Sequence, residues 1–213
     1  MKKYELTAEF IEKWGKKLFR IKALISFGSV EAGELGGYVE KEDNLAQNGN
    51  AWVCDDAEVF GNARVYGNAR VFGNARVYGN AWVYGNARVF GNARVCGNAE
   101  VFGNARVFGN ARVCGNAEVC DDARVFGNAD YLLIGRIGSR FSFTTFFKNK
   151  DKGITVSCGC FLGTIAEFRA KVTDTHGNNK HAKMYNLAAD MAELQILGEE
   201  HFDKLNTNKS EPF

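Results

Sequence analysis

Gly61-Asn-Ala-Arg-Val-Tyr-Gly-Asn-Ala-Arg-Val-Phe-Gly-Asn-Ala-Arg-Val-Tyr78 is one hexapeptide written three times, and the same unit runs with few substitutions from Ala51 to Ala129. Valine recurs at every sixth residue from Val53, Val59 and Val65 to Val119 and Val125 without a slip. A unit this short buries nothing by itself, so neighbouring units must stack and share a core. Such a chain is a solenoid. Val and the Ala across the next Gly-Asn corner are four residues apart. The residues flanking Val point the other way under strand alternation. Val and Ala therefore face inward, and Arg and Tyr or Phe face outward. Gly and Asn at the corner suit a bend with positive φ. Stacked corners also set Asn side chains one strand spacing apart, close enough for amide ladders.

These Val-x-Gly-Asn-Ala-x units resemble the hexapeptide-repeat family of left-handed parallel β-helices, which has an aliphatic and a small residue at the same offsets. The resemblance implies three strands and eighteen residues per coil and, commonly, a homotrimer. Handedness comes from the resemblance alone, because the general rule for parallel crossovers predicts the right-handed form. Leu18-Phe-Arg-Ile-Lys-Ala-Leu24, Ala32-Gly-Glu-Leu-Gly-Gly-Tyr-Val-Glu40 and Asn44-Leu-Ala-Gln-Asn-Gly-Asn-Ala-Trp-Val53 look like the opening segment of hexapeptide-repeat proteins encoded by phages and prophages. The predicted fold class is thus an all-β solenoid, a left-handed parallel β-helix, with a small C-terminal α+β cap.

With 213 residues, a single Pro and 24 Gly, the chain suits one long solenoid with small end pieces. A net charge of +2 argues against a long nucleic acid as partner. No apolar run of membrane-spanning length and no hydrophobic signal core is present, which predicts a cytoplasmic protein, in the host cytoplasm if phage-encoded, with no membrane partner. In that compartment the six cysteines are expected as free thiols. Cys96 and Cys114 do stack on adjacent coils at a disulfide-compatible spacing, but the favoured expectation is that they replace aromatics where an interface lacks room.

The predicted boundaries are an N-terminal cap over 1–38, the β-helix over 39–130, a C-terminal cap over 131–198 and a mobile tail over 199–213. In the first cap Thr7 is expected to start a helix running to Trp14 and ended by Gly15, followed by a strand from Leu18 to Ser26 that covers the open coil. Val39, Leu45 and Ala51 are placed in one six-residue register. In the C-terminal cap Tyr131–Ile134, Phe141–Phe147 and Ile154–Cys158 read as strands. Thr164 and Glu167 form a capping box, and Gly177 ends the first helix. Asn179 opens a second helix with Met184, Leu187, Met191 and Leu194 on its buried side.

Counting by eighteens sorts the outward residues into three unequal faces. The first carries Arg70, Arg88, Arg106 and Arg124, with Phe72, Phe90 and Phe108 after the valines. Arg76, Arg94 and Arg112 lie on the second, below Glu58. The third carries Arg64, Trp82, Glu100 and Glu118. Two uses compete for these columns. One is a trimer seam, Arg against Glu with aromatics buried between subunits. The other is a set of inter-subunit clefts for a small anionic ligand such as a cyclic nucleotide, phosphate held by Arg and base stacked on a ring.

Acyltransferases and carbonic anhydrases of this fold depend on histidine, and His176, His181 and His201 all lie beyond the repeat. The lysine-bearing and loop insertions that build acyl-acceptor sites in that family are also missing. No catalytic residue and no cofactor is predicted. Cys158-Gly-Cys160 with His176 and His181 is the one constellation with zinc-like spacing, and Asp55-Asp56 and Asp121-Asp122 are paired carboxylates. Both are read as metal-free, the first as cap residues and the second as turn residues. The expected function is a non-enzymatic trimeric protein that sequesters a small phosphorylated ligand, a phage counter-defence sponge. A purely structural or assembly protein is the alternative.

Overall fold

The computed structural model describes residues 2–200. The chain forms two compact units, Met1–Asp122 and Ala123–Phe213. The predicted tail, apart from Glu199 and Glu200, lies outside the described residues.

The first unit is a β-solenoid of about five turns with about eighteen residues per coil. Each hexapeptide contributes a two-residue strand, and strands eighteen residues apart pair in parallel, as Arg70↔Arg88 and Val71↔Val89 do. The first sheet runs through Trp52–Val53, Arg70–Val71, Arg88–Val89 and Arg106–Val107. The second joins Glu58–Val59, Arg76–Val77, Arg94–Val95 and Arg112–Val113. The third joins Arg64–Val65, Trp82–Val83, Glu100–Val101 and Glu118–Val119. Every inward Val and Ala from Ala51 to Val125 has no exposed surface, as at Val71, Ala75, Val89 and Ala93. The corners divide their work. Positive φ falls on Gly, 71° at Gly61 and 69° at Gly97, and on no corner Asn. The Asn residues supply the ladders instead. Asn50 donates to Asn68 at 3.1 Å, Asn68 to Asn86 at 3.1 Å and Asn86 to Asn104 at 3.2 Å.

The expected N-terminal helix is replaced by a hairpin of β1 (Tyr4–Lys13) and β2 (Lys16–Ala23). Trp14 and Gly15 turn it with φ of 53° and 71°, the double left-handed pair of a two-residue hairpin loop. β2 pairs antiparallel with β3 (Leu35–Val39), and β3 pairs in parallel with Glu58–Val59, so the hairpin extends the second sheet and closes its open edge. The expected register of Val39, Leu45 and Ala51 is also corrected. Val39 pairs with Val59 and Leu45 bridges Val65, each across 20 residues, whereas Val53 pairs with Val71 across 18. The corner between Leu45 and Val53 is therefore two residues longer than the others, and Val53, not Ala51, follows Leu45.

Cys96 and Cys114 are joined in a disulfide, so they are not the free thiols expected. Stacking in parallel register brings their Cα atoms to 4.6 Å, within the range a disulfide spans.

In the second unit a short strand, Arg124–Val125, precedes a four-stranded antiparallel sheet of Tyr131–Ile137, Ser142–Lys148, Ile154–Cys158 and Phe161–Thr164. The last of these strands was not foreseen; it is four residues long and ends at the helix cap. α1 (Ile165–His176) starts on the capping box of Thr164 and Glu167, and α2 (Lys180–Leu197) starts where Asn179 accepts from the His181 and Ala182 amides. The face of α2 that packs is the reverse of the expected one. Ala182, Tyr185, Ala188, Ala189, Ala192 and Ile196 join Phe146, Val156 and Phe168 in the core. Met184, Leu187, Met191 and Leu194 are exposed, Leu187 by 63%. Small side chains let the helix axis approach the sheet closely, and Tyr185 fills the remaining gap. Arg169 of α1 ties the pair, donating to Asp190 and Glu193 of α2 at 2.7 Å each. Among the described residues no helix is long and apolar enough to cross a membrane.

Candidate functional site

Strand alternation puts Arg and the aromatic of each unit outside, and parallel register turns them into columns. Arg70, Arg88 and Arg106 lie side by side on the first face. Beside them the rings of Phe72 and Phe90 stack at 4.8 Å and those of Phe90 and Phe108 at 5.1 Å, nearly parallel. The top of this face is closed. Trp52 has no exposed surface because Tyr4 and Phe27 pack edge-on against it. Arg70 donates to the Ser29 hydroxyl and, at 3.7 Å, to the Cys54 sulfur. Among the described residues Arg88 and Arg106 are exposed and have no carboxylate partner.

The second column begins differently. Glu58, only 3% exposed, is paired with Lys13 and, at 3.3 Å, with Arg76. Trp14 at the hairpin tip stacks on Phe60 at 4.8 Å, and Phe60 on Tyr78 at 5.1 Å. The next two aromatic places are taken by the Cys96–Cys114 disulfide. A cavity of about 200 Å³ lies among Trp14, Phe60, Arg76, Tyr78 and Arg94. Arg94 and Arg112 continue the column in register.

The third face carries the acids. Tyr66, Tyr84 and Phe102 stack at 4.8 and 4.9 Å, and the Tyr84 hydroxyl donates to Glu100 at 2.8 Å. Burial first, and then Glu100, pushes the Tyr84 phenol above its usual range. Toward the N-terminus this face opens into a cavity of about 550 Å³ lined by Asp43, Leu45, Arg64, Tyr66 and Trp82. Repeat counting missed it, because its wall is the 3-10 turn Glu42–Asn44 in the irregular first coil.

The structure brings together Arg70, Arg88, Arg106, Phe72, Phe90 and Phe108 on one face and Arg76, Arg94 and Arg112 on another. Arg124 belongs to the second unit, where it donates to the Ala123 carbonyl at 3.1 Å. Among the described residues no three His, Cys, Asp or Glu side chains are grouped to hold a metal ion. His176 and His181 sit with ring centroids 5.8 Å apart, and Cys158, Cys160 and His176 line a common cavity in the second unit. Asp55 and Asp121 occupy the Gly place of their corners at φ of 53° and 55°, and the Asp55 carboxylate accepts from the Gly73 amide at 2.9 Å.

Fold and columns together define a β-solenoid repeat protein. Within that class the chain is similar to the YdcK beta solenoid repeat, whose pattern matches residues 63–79, 69–85, 81–97 and 99–115. No curated protein matches the chain.

Proposed function

We propose that the solenoid is a non-catalytic trimeric binding protein that holds a small phosphorylated ligand between subunits. The observation that carries the reading is the Arg88–Arg106 pair, stacked in register and exposed, beside the parallel Phe90 and Phe108 rings. Guanidinium forks suit phosphate oxygens in bidentate fashion, and an aromatic edge or second guanidinium suits a nucleobase. The trimer is supported by the charge difference between faces. One subunit's arginine column finds the Glu100-bearing face of the next as its complement, and the seam covers aromatic ladders that an isolated chain exposes to water. On this reading, and with the resemblance to phage-encoded hexapeptide-repeat proteins, the ligand is a cyclic nucleotide of host immunity. Several identical clefts on a stable scaffold titrate such a messenger without turnover.

Charge complementarity also favours a second reading, a structural trimer whose columns are consumed in the seam. Native mass spectrometry of untagged protein mixed with mono-, di- and cyclic oligonucleotides separates the two. The binding reading predicts a trimer with discrete nucleotide adducts, and loss of those adducts from the trimer that remains in Arg88→Gln/Arg106→Gln. A trimer that ignores the whole panel supports the structural reading. A monomer overturns both.

A further inference from the structure

The second unit contains a cluster that the solenoid reading leaves unused. Cys158 pairs with Phe161 across a two-residue turn, Gly159-Cys160, in which Gly159 has φ of 59°. The turn presents Cys160, exposed, and Cys158, half-buried, at one cavity of about 180 Å³. Arg140, Lys171, His176 and Tyr185 also line it, and among the described residues no carboxylate does. Arg140 reaches the turn itself, since a Cβ built on Gly159 would lie 3.7 Å from its Nη1. Behind the turn Thr144 Oγ1 donates to Cys158 Sγ at 3.1 Å, and the His176 ring stacks on Tyr185 with centroids 5.8 Å apart. Burial, and then Cys158, raises the Tyr185 phenol, while Arg140 opposes the rise, so the guanidinium charge is felt on the cavity floor.

We propose that this cavity is a thiol–disulfide exchange site for a small anionic disulfide, with Cys160 as the attacking thiol and Arg140 and Lys171 holding the carboxylates of the reagent. Cys160 gives its proton to solvent and its thiolate attacks one sulfur of R–S–S–R. The Cys160–S–S–R bond forms, the original S–S bond breaks, and R–S⁻ leaves with the electron pair and takes up a proton. The two free thiols outside this cavity are poorer competitors. Cys120 is buried, and burial pushes its thiol up to about 12. Cys54 is half-buried, and burial raises its thiol too. An exposed thiol beside cations is the environment in which exchange is selective.

The test is the reaction of the full chain with glutathione disulfide, which is anionic, and with cystamine, which is cationic. Rates are normalised to those of a free small-molecule thiol, and adducts are placed by peptide mapping. The expected adduct is on Cys160, formed about tenfold faster with the anionic reagent after normalisation. Arg140→Gln/Lys171→Gln should erase that preference by slowing the anionic reagent and not the cationic one, while Cys158→Ser retains the adduct. Equal normalised rates, an adduct mapped to Cys54 or Cys158, or no adduct overturns the proposal. Both charge substitutions are at exposed positions, so circular dichroism of the variant should match the parent.

Discussion

Gly97 shows what a corner demands of one residue. Its φ is 69°, and a Cβ added there would sit 2.9 Å from the Gly115 amide nitrogen of the next coil. Both backbone strain and a clash with neighbouring backbone oppose a side chain, and a backbone atom cannot swing away as a long side chain does. Gly127 has a φ of −137° and would place its Cβ in open space. Gly97→Ala should therefore destabilise the solenoid by about 1–3 kcal/mol, and Gly127→Ala should change stability by less than about 0.5 kcal/mol. Denaturant unfolding of both variants checks this; equal effects would mean that stacking does not restrict the corner. Asp55 and Asp121 show the exception. Asp tolerates the left-handed region better than most residues, and its carboxylate supplies a hydrogen bond that Gly lacks.

At the scale of an element, α2 carries two apolar stripes of helical period. Met184, Leu187, Met191 and Leu194 are the more hydrophobic and face solvent, while Ala182, Tyr185, Ala189, Ala192 and Ile196 face the sheet. Hydrophobic weight alone points to the wrong stripe. Depth of approach decides, because the Ala stripe buries backbone and sheet side chains that a Leu stripe would hold apart. Leu187→Lys should shift stability by less than about 0.5 kcal/mol, whereas Ala189→Leu, at a position with no exposed surface, should cost about 1–3 kcal/mol by overpacking. Hydrogen exchange of α2 amides reads both; loss of protection in the Leu187 variant alone would reverse the assignment.

At the scale of the molecule, the first unit gains stability coil by coil, since each coil bonds to its neighbours. The Cys96–Cys114 disulfide crosses one such interface and closes a loop with a sequence separation of 18. Constraining the unfolded chain over a loop of that length contributes about 3 kcal/mol in the chain-entropy model. Cys96→Ser/Cys114→Ser should lower the stability of the first unit by about 2–4 kcal/mol, and reductant should do the same to the parent protein. Thermal unfolding with and without reductant tests this, and insensitivity to both would show that the bond carries no stability. Hydrophobic stacking, not the bond, sets the fold: the Val and Ala columns continue unbroken through coils that carry no cysteine.

The repeat determined the solenoid, its three faces, its inward Val and Ala and its Asn ladders, because all of these follow from alternation and a six-residue period, which are local. The capping box at Thr164 and the Asn179 cap were legible for the same reason. Of the candidate site, the membership of each column was readable, since eighteen-residue register is arithmetic. Its accessibility was not. Trp52 is covered by Tyr4 of β1 and by Phe27, Arg70 is held by Ser29 in the loop after β2, and Glu58 pairs with Lys13 of β1 as well as with its register neighbour Arg76. The longer corner after Leu45, the cavity beside Trp82, the buried Ala stripe of α2 and the grouping of Cys160 with Arg140 and Lys171 also needed the tertiary structure. Each depends on which distant segment fills a space, and short-range periodicity carries no information about that.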